Sequence, residues 1–123
     1  MKKLELVFFD LSNGNFLQIK GLQSMSSLIE ISKVVIKRNG KKEKYDQNKI
    51  ENTLNTLFAF HSTEDGDRIA ISVANYVTLQ ISVKYGHFDS IRVSAIREEI
   101  ERALMKFDLY YELKDFILSK YKI

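Results

Sequence analysis

Val34-Val35-Ile36-Lys37-Arg38-Asn39-Gly40-Lys41-Lys42-Glu43-Lys44-Tyr45-Asp46-Gln47-Asn48-Lys49-Ile50 decides how the rest of the chain is read. Three apolar residues, an Asn-Gly pair and a charged return predict a β-hairpin over 34–45. Asn39-Gly40 is its expected two-residue loop, since both residues tolerate positive φ. Asp46 follows where a helix N-cap belongs, its carboxylate placed to accept the free N–H groups of a first turn. Lys37, Arg38, Lys41, Lys42, Lys44 and Lys49 concentrate positive charge on this corner. One reading is a solvated edge, because lysine on an edge strand discourages aggregation. The other is an anion site, in which lysines and the positive end of a helix converge on one phosphate.

Outward from the corner, Ile50, Leu54, Leu57 and Phe58 recur at helical spacing through Phe60. His61 to Gly66 breaks that pattern. A second helix is expected from Asp67 to Lys84, with Ile69, Val73, Tyr76, Val77 and Val83 as its stripe and Gly86 at a left-handed stop. His87 to Val93 is a connector that can hold an isolated extended stretch. Ser94 is the expected cap of a third helix carrying Ile96, Ile100, Ala103, Leu104 and Phe107. Asp108 marks a corner before a fourth helix with Leu109, Leu113, Phe116 and Ile117. Residues 4–20 predict another hairpin around Asn13-Gly14, and 21–32 a linker. The fold class is α+β, mainly α: a four-helix domain capped by a β-hairpin lid and preceded by a second short N-terminal hairpin. The division expected is an extension over 1–32 and a main domain over 33–123.

Composition narrows the chemistry. The 123 residues, 45% hydrophobic and 28% charged, are ordinary for a soluble globular domain. With no cysteine, there is no disulfide, thiol nucleophile, zinc ribbon or iron–sulfur cluster. No apolar run approaches the ~20 residues of a membrane span, and no secretory signal opens the chain; the expected location is cytoplasmic. A net charge of +3 does not argue for nucleic acid by itself, so the placement of the charge matters more.

At the corner the chain resembles the ATP-cone domain, the nucleotide-sensing module of ribonucleotide reductases and reductase repressors. Val35-x-Lys37-Arg38-Asn39-Gly40, then Glu43, Tyr45-Asp46 and Lys49-Ile50, look like that domain's opening. Val93-Ser94-Ala95-Ile96-Arg97 is similar to its later helix start, Glu98 to Met105 to the helix that follows, and Tyr111 to Tyr121 to the closing helix. The resemblance implies a four-helix domain under a hairpin lid that binds ATP or dATP, accompanied by Mg2+. By position, it puts Val35, Lys37 and Arg38 on the lid, Glu43 and Asp46 near ribose or base, and Lys49 at phosphate. Ile50, Val93 and Ile96 would wall the adenine pocket, with Arg97 and Lys120 approaching the phosphates. Threonine is common at the Val93 position, histidine at Arg97 and arginine at Lys120; these departures leave the choice between ATP and dATP open.

Other candidates read more simply as structure. His61 and His87 lack a zinc-ligand spacing and are expected in surface loops. Asp65 and Asp67 lack the oxygen-rich pattern of a calcium loop. Glu98, Glu99 and Glu101 read as a solvated helix face, and Tyr110 and Tyr111 as packing at a helix start. No Walker loop or Gly-x-Gly-x-x-Gly is present, so a nucleotide is expected as effector rather than substrate. The expectation is a non-catalytic allosteric module that controls the oligomeric state or activity of a partner such as ribonucleotide reductase. It is either separately encoded or detached from its enzyme, and residues 1–32 are its candidate partner-specific piece. The alternative is a small basic nucleic-acid-binding regulator.

Overall fold

The computed structural model describes residues 31–119. The hairpin expected over 4–20 lies outside the described residues, as does Lys120. In chain order the elements are β1 (Val34–Ile36), β2 (Lys42–Lys44), α1 (Gln47–Phe60), α2 (Gly66–Lys84), β3 (Ser90–Arg92), α3 (Val93–Lys106) and α4 (Tyr110–Ser119). Four helices and a small sheet match the expected class.

The hairpin loop is longer than expected. The Gly40 N–H donates to the Lys37 carbonyl at 2.9 Å, and the Lys37 N–H to the Lys41 carbonyl at 2.8 Å. This closes a three-residue loop, Arg38-Asn39-Gly40, in place of a two-residue one. Of the three loop residues only Gly40 has positive φ, at 87°; Asn39 instead uses its Oδ1 to accept the Lys41 N–H at 2.9 Å.

The connector after α2 is not an isolated extended stretch. Its β3 segment pairs parallel with β1, Val35 lying between Glu43 and Ile91, in the strand order β2-β1-β3. Three residues are too few to announce a strand by alternation. β3 runs straight into α3, so Arg92 takes the N-cap position, extended at φ −79° and ψ 146°, without a side-chain cap. Ser94 is already inside the helix and does not cap it. Gly86 is not left-handed either. Its need is steric: a Cβ there would sit 2.6 Å from the Ser82 carbonyl oxygen.

The core forms where the helices meet, α1 on α2, α2 on α3, α3 on α4 and α1 on α4. Leu54 and Leu57 of α1, Val73 and Val77 of α2, Ile100 and Leu104 of α3 and Phe116 of α4 are fully buried. Each such side chain contributes about 1.5–3 kcal/mol of burial. Two residues expected in the stripes face outward instead, Val83 at 71% and Ile117 at 47% exposure. Tyr110 and Tyr111 are also exposed rather than packed; the Tyr110 hydroxyl donates to Asp108 Oδ1 at 2.8 Å. Asp108 does make the corner, at φ 60°.

Three charged groups are buried among the described residues, Glu99 against expectation and Lys33 and Glu112 besides. Glu99 is 1% exposed, not part of a solvated face. Its carboxylate accepts Lys84 Nζ at 3.1 and 3.2 Å and Arg102 Nη1 at 2.8 Å, which offsets the cost of burying it. Lys33, just before β1, donates Nζ to the carbonyls of Tyr85 and Phe88 at 2.7 and 2.5 Å. A cation on these carbonyls complements the negative end of α2 and pins the sheet to it. His61 is not a free loop residue: its Nε2 meets Asp115 Oδ2 at 3.1 Å, which links the end of α1 to α4.

Candidate functional site

Alternation along the hairpin sorts the positive corner into two faces. Successive residues of a strand point to opposite sides. Val35, Lys37, Glu43 and Tyr45 therefore share the inner side, while Lys42 and Lys44 point outward. α1 starts directly below the inner side because Asp46, extended at φ −139° and ψ 107°, caps it through the Asn48 N–H at 3.0 Å. The capped turn carries Lys49 and Ile50 up against the strands.

One recess results, lined by Val35, Lys37, Glu43, Lys44, Tyr45, Asp46, Lys49, Ile50 and Ile96, with a cavity volume of about 20 Å³. Its floor is apolar, since Val35, Ile50 and Ile96 are buried. Its mouth is charged. The Glu43 carboxylate binds Lys37 Nζ at 2.8 Å and also pairs with Lys49 Nζ, so one acid bridges the hairpin and α1. Hydrogen bonds from Lys37 and then Lys49 hold the Glu43 carboxyl down at about 2.

Tyr45 closes the floor. Its hydroxyl shares a 2.7 Å hydrogen bond with Thr78 Oγ1 of α2. Burial pushes its phenol up to about 12, so it stays neutral across the ordinary pH range. Motif resemblance alone does not place Tyr45 in the site; its period-two spacing from Glu43 is the signal that does.

Seven of the expected residues meet at this recess: Val35, Lys37, Glu43, Asp46, Lys49, Ile50 and Ile96. Arg38 is exposed on the hairpin loop. Arg97, on α3, lies with its guanidinium 4.3 Å from the Phe116 ring centroid and donates Nη2 to the Phe116 carbonyl at 3.3 Å. Burial lowers the pKa of Arg97; Glu101 opposes that shift, and the Arg38 charge adds to it. Arg38 and Arg97 are thus close enough to feel each other, one from the lid and one from the bundle. Val93 is buried in the core at the first position of α3 and does not line the recess.

A dry slot beneath several converging cations is the pairing that an adenine nucleotide needs: a flat apolar surface for the base and charge for the phosphates. The family model for the ATP cone domain matches residues 33–122. The chain belongs to the ATP-cone family. No curated protein matches it. As an ATP cone, the domain is a nucleotide-sensing regulatory module, not itself catalytic, and cones take ATP or dATP as effectors. Among the described residues, no helix of the cone is long and apolar enough to cross a membrane, and no cluster of three or more His, Asp or Glu could hold a metal ion.

Proposed function

We propose that this cone binds ATP or dATP between the hairpin and the α1–α3 surface, and that the bound nucleotide sets the oligomeric state or activity of a cytoplasmic partner such as ribonucleotide reductase. The observation that carries the reading is the Lys37–Glu43–Lys49 bridge at the mouth of an apolar recess. Two ammonium groups already converge there on one anionic group, the arrangement a phosphate would require. Val35, Ile50 and Ile96 offer the base a slot. Lys37, Arg38, Lys49 and Arg97 supply the phosphate charge, with Lys120 as a further cation. Glu43 and Asp46 provide acceptors for ribose or base.

With a cavity volume of about 20 Å³, the recess is far smaller than the ~300–1,000 Å³ usual for ligand sites, so a nucleotide enters only if the mouth opens. Its gating side chains can move, being 29% exposed for Lys37, 30% for Glu43 and 47% for Lys49. Phosphate binding would draw the lysines away from Glu43 and open the mouth. Mg2+ would travel with the triphosphate through phosphate oxygens and water, since the described residues form no carboxylate cage for it. Regulation requires that the nucleotide prefer one of two states, because equal affinity for both shifts neither. Residues 1–32, outside the family match, would carry the partner-specific contact.

Thermal melts of the full chain with ATP, dATP, GTP and a short DNA test this reading. An adenine nucleotide at about 100 times its dissociation constant should stabilise the fold by about 2.7 kcal/mol. A melt moved by DNA but by no adenine nucleotide would overturn the reading in favour of a nucleic-acid regulator. Size measurement with and without ATP or dATP then tests the oligomer switch.

A further inference from the structure

The same alternation that fills the recess leaves a second basic surface on the other side of the sheet. In register, Val34 lies between Lys44 and Ser90, and Ile36 between Lys42 and Arg92. These six residues form the outer face. Lys42, Lys44 and Arg92 are all exposed there, and none makes an ion pair among the described residues. Val34 is 38% exposed between them. A shallow concavity lined by Ser32, Lys33, Val34, Lys42, Glu43 and Lys44, residues of both faces, runs along the hairpin.

The backbone adds a second feature. The Tyr45 N–H donates to the Lys33 carbonyl, and the Lys37 N–H to the Lys41 carbonyl, each at 2.8 Å. In an antiparallel pair, residues bonded to the partner strand alternate with residues whose N–H and C=O point away. Residues 33, 35 and 37 therefore bond across to 45, 43 and 41. The N–H and C=O groups of Lys42 and Lys44 point to the outer side of β2, which has no strand beside it among the described residues. The two residues with outward backbone groups are the two with outward ammonium groups.

We infer that β2 is a docking edge for an extended acidic segment of a protein partner, added as a fourth strand. Such a segment would bond to the backbone of Lys42 and Lys44 and place carboxylates at every second residue beside their side chains. The spacing agrees: Lys42 and Lys44 are about 6.6–6.8 Å apart along the strand, the same repeat as alternate residues of any extended peptide. Arg92 lies on β3, the other edge of the sheet. Its presence extends the positive field over the whole face, and Val34 offers the segment an apolar contact. A nucleic acid would use the charge but not the open backbone edge. This surface is separate from the nucleotide reading and stands without it.

The test uses the full chain and a fluorescein-labelled peptide, Glu-Thr-Glu-Val-Glu-Thr-Glu, with a second peptide of the same sequence N-methylated at its third, fourth and fifth residues, which removes the backbone donors facing β2 in either strand direction. A single-stranded oligothymidine is the third probe. Expected results are binding of the first peptide, at least tenfold weaker binding by the Lys42→Glu/Lys44→Glu variant, and at least fivefold weaker binding of the N-methylated peptide. Lys42→Thr/Lys44→Thr, which keeps strand propensity, should also lose most of the affinity. Hydrogen exchange at the Lys42 and Lys44 amides should slow when the first peptide is added. Unchanged exchange at those amides, equal binding of both peptides, or binding of the oligothymidine alone would overturn the proposal.

Discussion

The Glu43 carboxylate and the Lys49 ammonium join across the seam between the hairpin and α1, six residues apart in sequence. With Lys37 on the other carboxylate oxygen, they make the hairpin's charge depend on the helix below it. Lid and bundle are thus coupled electrostatically at the place where the nucleotide is proposed to bind.

That coupling should appear in the acid limb of stability. The Glu43 carboxyl is held at about 2, from an ordinary value of 4.5. A carboxyl with a depressed folded-state pKa stabilises the fold above its unfolded pKa and loses that contribution as pH falls through the folded one. Wild type should therefore exceed Glu43→Gln in melting temperature at neutral pH, with the gap closing between about 4.5 and about 2. A gap that does not change over that window would show that the bridge contributes nothing.

Lys49→Ala should weaken ATP binding by about ten- to a hundredfold, the range for losing one charge-assisted hydrogen bond worth about 1.5–3 kcal/mol. Lys37→Ala should fall in the same range. Lys41→Ala, on the exposed end of the loop, should bind within about twofold of wild type. Isothermal titration calorimetry checks all three, and wild-type affinity in both Lys37→Ala and Lys49→Ala would remove the site assignment while leaving the fold intact.

How much of this was legible depends on the range of the signal. Asp46 as N-cap, the helical spacing of Ile50, Leu54, Leu57 and Phe58, and the corner at Asp108 are local, and the residues announced them. Contacts made at a distance were not announced. Glu99 looks like any helix-surface glutamate until Lys84, on a different helix, closes over it. β3 is defined by pairing with β1, far away in sequence, so a three-residue segment read as a connector. In the recess, Lys37, Glu43, Lys49, Ile50 and Ile96 were reachable through motif resemblance. The separation of Lys37 from Lys42 and Lys44 follows only once the register places them on opposite faces.

Glu99 gives a separate measure of that long-range packing. Removing both cations with Lys84→Ala/Arg102→Ala leaves a carboxylate that is 1% exposed without its partners. The expected loss is about 1–3 kcal/mol, the penalty for an unsatisfied buried polar group. Glu99→Leu in wild type should cost less than the double variant, because an apolar side chain needs no partner there. Urea unfolding of the three proteins orders them; a double variant as stable as wild type would return Glu99 to the solvated class.

Phe116 links the core to the proposed site and allows the two roles to be separated. It is fully buried, and its ring also lies under the Arg97 guanidinium. Phe116→Ala should destabilise the fold by about 3–5 kcal/mol through the cavity it leaves. Phe116→Leu keeps most of the apolar volume and should cost less, but it removes the ring face that holds Arg97, a cation–π contact worth about 0.5–2 kcal/mol. If Arg97 meets phosphate as proposed, Phe116→Leu should weaken ATP binding by about two- to thirtyfold under conditions where the variant remains folded, the conversion of that same energy. Adding Arg97→Ala to Phe116→Leu should then weaken binding by less than Arg97→Ala does in wild type, since the two residues act through one contact. Fully additive effects in that double-mutant cycle would show that the ring does not position the guanidinium.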